Sequence, residues 1–418
     1  MRYFKEIFRA LRHKNYRYFF TGQLVSLIGS WMQSIALSWL IFRLTNSSQK
    51  LGTVNFCNQL PVLLFAVWGG VVADHFNRRK ILIITQFSCM VLAGLLATIT
   101  LTDYIKVWHL YIFALALGIT QAFDIPARQS IIVELVGKED LSNAIILNSS
   151  MFNGARLVGP AIAGLVIDWI GEGWCFAANS LSYIAVLVGL LAMKIIPHSR
   201  KSTIETPTQG LKDGFNFIIH SFPTTALLLM LGAVSMLAAP QVVLMPAVTK
   251  QILHCQANTM GYLLAMSGIG AFVGALLLAL RKKAQGMEKL IAFAMTTCGF
   301  CFIFFGNSTT RWISMLLMVP IGFCLMAQMA SSNTLIQNLV PDYLRGRVMS
   351  FHAMMFMGGA PVGALLSGYL AERIGIPLTF TAAGACMILI GCAFTLNLRR
   401  YRILSERLLR QTERVNQQ

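Results

Sequence analysis

Three titratable side chains stand inside long apolar runs of this 418-residue chain: Asp124 in FDIPARQS, Arg156 in MFNGARLVGPAIAG, and His352 in FHAMMFMGG. A carboxylate or imidazole in such surroundings can take up and release a proton, and a guanidinium can hold an anion through paired hydrogen bonds. Neutral polar residues accompany them at helical spacing. Gln23, Ser26, Ser30, Gln33, Ser34 and Ser38 recur every three or four residues, a stripe that lipid would not tolerate but that a water-filled cavity or a neighbouring helix would. Asn55, Asn58, Gln59, Gln121, Asn148, Asn153, Gln241, Gln328, Ser331 and Ser332 extend the same lining. Trp31 and Trp39 could stack on a ring-bearing ligand or serve as packing. The chemistry of an enzyme is missing: the spans and their ends hold no catalytic constellation such as paired acids or a His-x-x-x-x-Asp motif, and there is no Walker loop, so no catalytic residue, metal site or cofactor is expected. The nine cysteines are scattered, and Cys298-x-x-Cys301 has no redox or metal context.

The elements that must carry these residues follow from composition. Hydrophobic residues make up 56% of the chain and charged ones only 12%, about half the charged share of a soluble domain. Windows of about 20 residues, long enough to cross the hydrocarbon of a bilayer, give twelve helices near 17–42, 51–73, 81–101, 108–133, 143–167, 174–194, 224–248, 259–280, 289–306, 312–335, 349–371 and 377–398. The runs are continuous rather than alternating, which excludes a transmembrane barrel. The expected fold is an all-α membrane protein.

A net charge of +18 suggests nucleic acid, but no segment between the spans forms a soluble basic face, and no nucleic-acid partner is expected. Topology explains the charge instead. With the N-terminus cytoplasmic, the inner segments hold 27 Lys and Arg and the outer segments 6, and the one left over is Arg156. That asymmetry places both termini in the cytoplasm. Arg156 then lies about 20 Å from the inner end of its span, too deep to snorkel, so it faces a cavity or serves as a structural tie. Asp124 lies toward the inner side, where it pairs with Arg78 or Arg128 or carries a proton. In the first segment, Phe4, Ile7, Phe8 and Leu11 fall on one helical face with cations opposite, the pattern of an interfacial helix on anionic lipid, and the tail from Arg399 has the same composition.

The chain repeats itself. The segment from Gln129 and the segment from Asn333 align at a constant offset of 204, pairing Gly154 with Gly358, Gly159 with Gly363, Gly164 with Gly368, Asp168 with Glu372 and Gly171 with Gly375. Two six-helix halves of like topology follow. The organisation reads as an interfacial helix at 1–16, a first half at 17–196, a cytoplasmic linker at 197–221, a second half at 222–398 and a basic tail at 399–418. Small residues four apart, such as Gly159 with Ala155 and Ala163, prepare close helix contacts.

At the inner end of the second span, GGVVADHFNRRK resembles the signature loop of the major facilitator superfamily, carried here by Gly70, Asp74, Arg78, Arg79 and Lys80. In the second half Leu278 stands where Asp74 would map. The stretches GQLVSLIGSWMQSIALSWL, FDIPARQSIIVELV, NGARLVGPAIAG and LVPDYLRGRVMS are similar to the branch that holds enterobactin-type siderophore exporters, macrolide efflux pumps and transmembrane secretion effectors. The resemblance implies the major facilitator fold. It further implies a monomeric secondary transporter of the bacterial inner membrane, coupled to protons and working by alternating access, that exports a siderophore or a bulky amphipathic or anionic small molecule. A multidrug or macrolide pump is the alternative within transport, and a receptor or assembly scaffold the alternative outside it. In this reading Gln23, Ser26, Ser30, Gln33, Ser34, Asn58, Gln121, Asn153, Arg156, Gln241 and Gln328 meet the substrate. Gly70, Asp74, Arg78, Asp124, Arg128 and His352 gate or couple.

Overall fold

The computed structural model describes residues 8–193, 207–281 and 286–417. Among them there is no strand, and twelve helices are long and apolar enough to cross a membrane. Spans 1 to 6 are Lys14–Thr45, Ser48–His75, Arg78–Leu101, Val107–Val136, Leu141–Ile170 and Glu172–Ala192. Spans 7 to 12 are Phe222–Ile252, Ala257–Ala279, Met287–Asn307, Arg311–Leu339, Asp342–Ile374 and Ile376–Leu396. An amphipathic helix, Pro207–His220, precedes span 7, and another, Leu398–Gln417, follows span 12. Of the expected interfacial helix at 1–16, residues 1–7 lie outside the described residues. The rest is a short 3-10 turn, Arg9–Arg12, running into span 1.

Helix ends are set by local chemistry. The side chains of Ser47 and Asn77 accept hydrogen bonds from the backbone N–H of Lys50 and Lys80, satisfying donors that a helix start leaves open. Asn46, at φ 49°, closes span 1. Gly171 and Gly375, at φ 94° and 86°, close spans 5 and 11 at the offset of the sequence repeat, in a conformation that side-chain-bearing residues rarely adopt. Span 7 is broken near Pro240 and Pro246 into short helical pieces. There Gln241 is buried and donates its side-chain amide to Ser267 Oγ at 2.6 Å, as a polar side chain away from water requires.

The chain forms two compact units, Met1–Ser202 with Thr249–Ala265, and Thr203–Val248 with Met266–Gln418. In the first, span 1 packs along span 6, and span 2 along span 4; in the second, span 9 packs along span 12. Glycine makes these approaches close. A Cβ on Gly118 of span 4 would stand 2.2 Å from the Asn58 carbonyl oxygen of span 2, and one on Gly322 of span 10 would stand 1.9 Å from the Ser267 carbonyl oxygen of span 8. Gly118 and Gly322 obey the offset of 204, but Asn58 and Ser267 stand 209 apart. The repeat therefore shifts register between spans 2 and 8. The position matching Asp74 is Lys283, outside the described residues, and Leu278 is not its counterpart.

At the end of the first unit that bears Asp74 and Arg78, the N-terminal turn docks onto the start of span 5. Arg9 and His13 both bind Asp140, and the Asn143 side chain accepts from the Ala10 N–H at 2.9 Å. Hydrogen bonds from His13 and then Arg9 hold the Asp140 carboxyl below its ordinary pKa.

The glycine contacts yield a paired prediction for thermal unfolding of purified protein. Gly118→Ala forces two helix backbones apart and should cost about 1–3 kcal/mol. Gly154→Ala, where a Cβ would meet nothing within 4 Å, should be neutral or stabilising by about 0.5–1 kcal/mol. Equal losses for both would refute the packing account.

Candidate substrate cavity and charged networks

A cavity of about 100 Å³ opens inside the first unit. Span 1 lines it with Ser30, Gln33, Ser34 and Ser38, span 2 with Asn55 and Asn58, span 4 with Gln121, and span 6 with Asn179 and Tyr183. The polar stripe of span 1 thus faces spans 2, 4 and 6 across a wet space. That is well below the roughly 300–1,000 Å³ of a pocket for a drug-sized ligand, so the cavity as it stands is a polar subsite and not a chamber for a whole bulky ligand.

Within it, Asn179 Nδ2 donates to Gln33 Oε1 at 2.7 Å, Ser182 Oγ donates to Asn179 Oδ1 at 3.1 Å, and the Ser30 and Tyr183 hydroxyls are 3.3 Å apart. Asn58 donates to the Ala114 carbonyl at 3.3 Å. The Gln121 amide, which lines the cavity, has no protein partner among the described residues. Asn179 and Tyr183 were missed in the sequence reading, although their spacing of four on one face of span 6 is the signal that would have found them.

The other expected substrate contacts lie elsewhere. Gln23 and Ser26 are buried beyond the cavity, and Gln23 Nε2 has no partner. Asn153 donates to Ser149 within its own helix at 2.9 Å. Arg156 is half-buried on span 5 and makes no hydrogen bond or ion pair among the described residues. In the second unit Gln241 is bound to Ser267, whereas Gln328, Ser331 and Ser332 are buried with their polar atoms unpartnered. Trp31 packs edge-on against Phe152, with ring centroids 5.9 Å apart.

Two charged networks of the first unit involve residues expected to gate or couple. Asp124 is 1% exposed. Thr85 Oγ1 donates to it at 2.8 Å, Gln86 Nε2 at 2.7 Å, and Arg128 closes an ion pair one helical turn away. Of the two basic partners expected for Asp124, Arg128 is the one in contact. Arg78 turns the other way: its Nη1 donates to Glu134 at 2.7 Å, its Nε to the Ala73 carbonyl at 3.0 Å, and its Nη2 reaches Asp74 only at 3.5 Å. Asp74 is 62% exposed on its side chain, so Glu134, which the sequence reading did not single out, is the stronger partner. Arg79 donates to the carbonyls of Leu190 and Leu191 at 2.6 and 2.9 Å, tying span 3 to the end of span 6. Gly69 is the glycine of close approach, 2.1 Å from the Ala122 oxygen if given a Cβ, while Gly70 has open space. His352 is buried on span 11 with Nε2 unpartnered.

Twelve spans, a first unit with a polar interior, and an arginine-rich turn between spans 2 and 3 coincide with a match over residues 6–413 to the transmembrane secretion effector family. The chain belongs to that family. It is a transporter of the major facilitator type and not an enzyme. Relatives include the staphyloferrin A transporter of Staphylococcus aureus, 29% identical over 90% of this chain and 95% of the relative. The multidrug efflux pump Tap of Mycolicibacterium fortuitum is 24% identical over 87% and 90%, and the enterobactin exporter EntS of Escherichia coli 24% identical over 93% and 94%. Among solved structures, a bacterial homolog of the human lysosomal transporter Spinster superposes with TM-score 0.72 at 14% identity, covering 95% of this chain and 97% of that one. The nucleoside transporter NupG gives 0.69 at 14%, covering 91% and 98%.

The Asp124 network predicts non-additive stability. Asp124→Leu leaves Arg128 without its counter-charge and should lower stability by up to about 3–5 kcal/mol, less to the extent that the 23% exposed Arg128 side chain finds water. Asp124→Leu combined with Arg128→Leu should recover most of the loss. Strict additivity of the two in thermal unfolding would show that the pair does not act as one.

Proposed function

We propose that the protein is a proton-driven exporter of the bacterial inner membrane, with both termini cytoplasmic, that moves a siderophore or another bulky amphipathic anion by alternating access. The observation that carries this reading is Arg156, a deep, half-buried cation with no partner among the described residues. A charge at such depth costs several kcal/mol unless water or an opposite charge meets it. The role of a structural tie would require hydrogen-bonded acceptors, and Arg156 has none here. Asp124, buried in the middle of span 4, is already neutralised by Arg128. The field in the first unit is therefore positive, which suits carboxylate or catecholate groups and disfavours cationic drugs. Relatives that carry staphyloferrin A and enterobactin support the same substrate class.

In this mechanism Arg156 attracts the acidic group, while the Gln121 amide and the span 1 hydroxyls bind neutral polar groups of the ligand. Asp74, Arg78 and Glu134 form the inner latch, an exposed charge cluster able to break when the halves rock. Asp124 and His352 are the candidate proton carriers. Protonating Asp124 would strand Arg128, whereas the unpartnered Nε2 of His352 is open to a proton without breaking an ion pair. His352 is therefore the first choice, and the protein works as a monomer.

Two measurements test this. In inverted vesicles, uptake of a carboxylate siderophore should collapse when an uncoupler removes the proton gradient and should not respond to ATP; transport that survives the uncoupler but stops on ATP depletion would sink the mechanism. On purified, monodisperse protein, Arg156→Gln should weaken binding of that siderophore about tenfold or more with little change in melting temperature. Arg156→Lys should keep part of the affinity, since the charge remains but the two-pronged geometry is lost. Wild-type affinity in Arg156→Gln, or preference for a cationic dye over the siderophore, would overturn the anion assignment and favour a multidrug pump of the Tap kind.

A further inference from the structure

The start of span 8 lacks a cap of its own. Gln256 precedes Ala257, and its long side chain is not the short acceptor that usually satisfies the first N–H groups of a helix. The acceptor comes from span 5 instead. Asp168 Oδ1 receives the Ala257 N–H at 2.9 Å, and Oδ2 receives the Asn258 N–H at 3.0 Å. Both carboxylate oxygens are therefore engaged at the positive end of the span 8 dipole.

The neighbouring contact is built from backbone. A Cβ on Gly164 would stand 2.7 Å from the Ala257 oxygen, and one on Gly261 would stand 2.4 Å from the Pro160 oxygen. Such a surface has no interlocked side chains to disengage. Thr249–Ala265 accordingly packs with the first unit, although in sequence it belongs to the second half, and His254, at φ 51°, marks a bend just before span 8. A charged cap over a smooth glycine seam is a contact that is either fully made or replaced by water, the behaviour of a switch rather than of a core.

We infer that Asp168 is the gate residue of the outer side: its carboxylate clasps the start of span 8 to span 5 while the outer side is closed and releases it when the outer side opens. Asp168 acts on the position of span 8 and touches no substrate. This inference rests on the alternating-access reading above, but its test needs neither substrate nor gradient, so failure of one is distinguishable from failure of the other.

The experiment places spin labels on a cysteine-depleted full-length protein at Tyr104→Cys and Gln256→Cys, both exposed positions of the first unit, and measures their distance distribution by double electron–electron resonance. With Asp168 intact, one short distance should dominate. Asp168→Ala should raise the ratio of longer to short distances severalfold, up to about tenfold. Asp168→Asn, nearly isosteric but neutral, should raise it in the same direction, and Asp168→Glu should restore part of the short population. A role limited to folding would lower yield without moving the distribution. Unchanged distances in monodisperse Asp168→Asn, or a shift in Asp168→Glu as large as in Asp168→Ala, would overturn the inference.

Discussion

A charge inside hydrocarbon must be paired or wetted, and the interior of the first unit is arranged around that constraint. Asp124 satisfies it with one cation and two neutral donors; Arg156 does not satisfy it within the described residues. Because lipid offers no alternative partner, the difference has functional weight that it would lack on a soluble surface. Arg128 is held by Asp124, whereas Arg156, half-buried on span 5, has no such counter-charge among the described residues.

The same constraint explains where glycine is concentrated. Between apolar helices in lipid, little hydrophobic drive favours association, so close van der Waals contact and backbone proximity must supply it. Gly118, Gly322, Gly164 and Gly261 bring carbonyl oxygens to distances that a side chain would forbid. Some of these seams are buried within a unit and hold it together. The one beneath Asp168 joins span 5 to the start of span 8 within the first unit.

How much could be read beforehand divides along a physical line. Span number follows from local composition and period, and the structure carries it; of the polar stripe of span 1, Ser30, Gln33, Ser34 and Ser38 line the cavity while Gln23 and Ser26 do not. Through-space pairing was not legible. Periodicity says which face of span 4 bears Asp124 but not that Thr85 and Gln86 of span 3 lie opposite, and it gave no reason to choose Glu134 over Asp74 as the partner of Arg78. Gln328 marks the same limit in the other half. Read as cavity lining, it is instead buried with neither amide atom partnered.

That last contrast says something about the duplicated architecture. Through spans 4 and 10 the repeat keeps its offset of 204 at Gly118 and Gly322, yet it places Gln328 where Asp124 stands and Ser332 where Arg128 stands. The helix packing was retained and the ion pair was not. A neutral amide and hydroxyl left unpartnered cost less than an unpaired charge, so this exchange is tolerated where loss of Asp124 alone would not be. Spans 4 and 10 thus share a scaffold but not a charge arrangement: span 4 carries the Asp124–Arg128 pair, and span 10 carries neutral polar groups in its place.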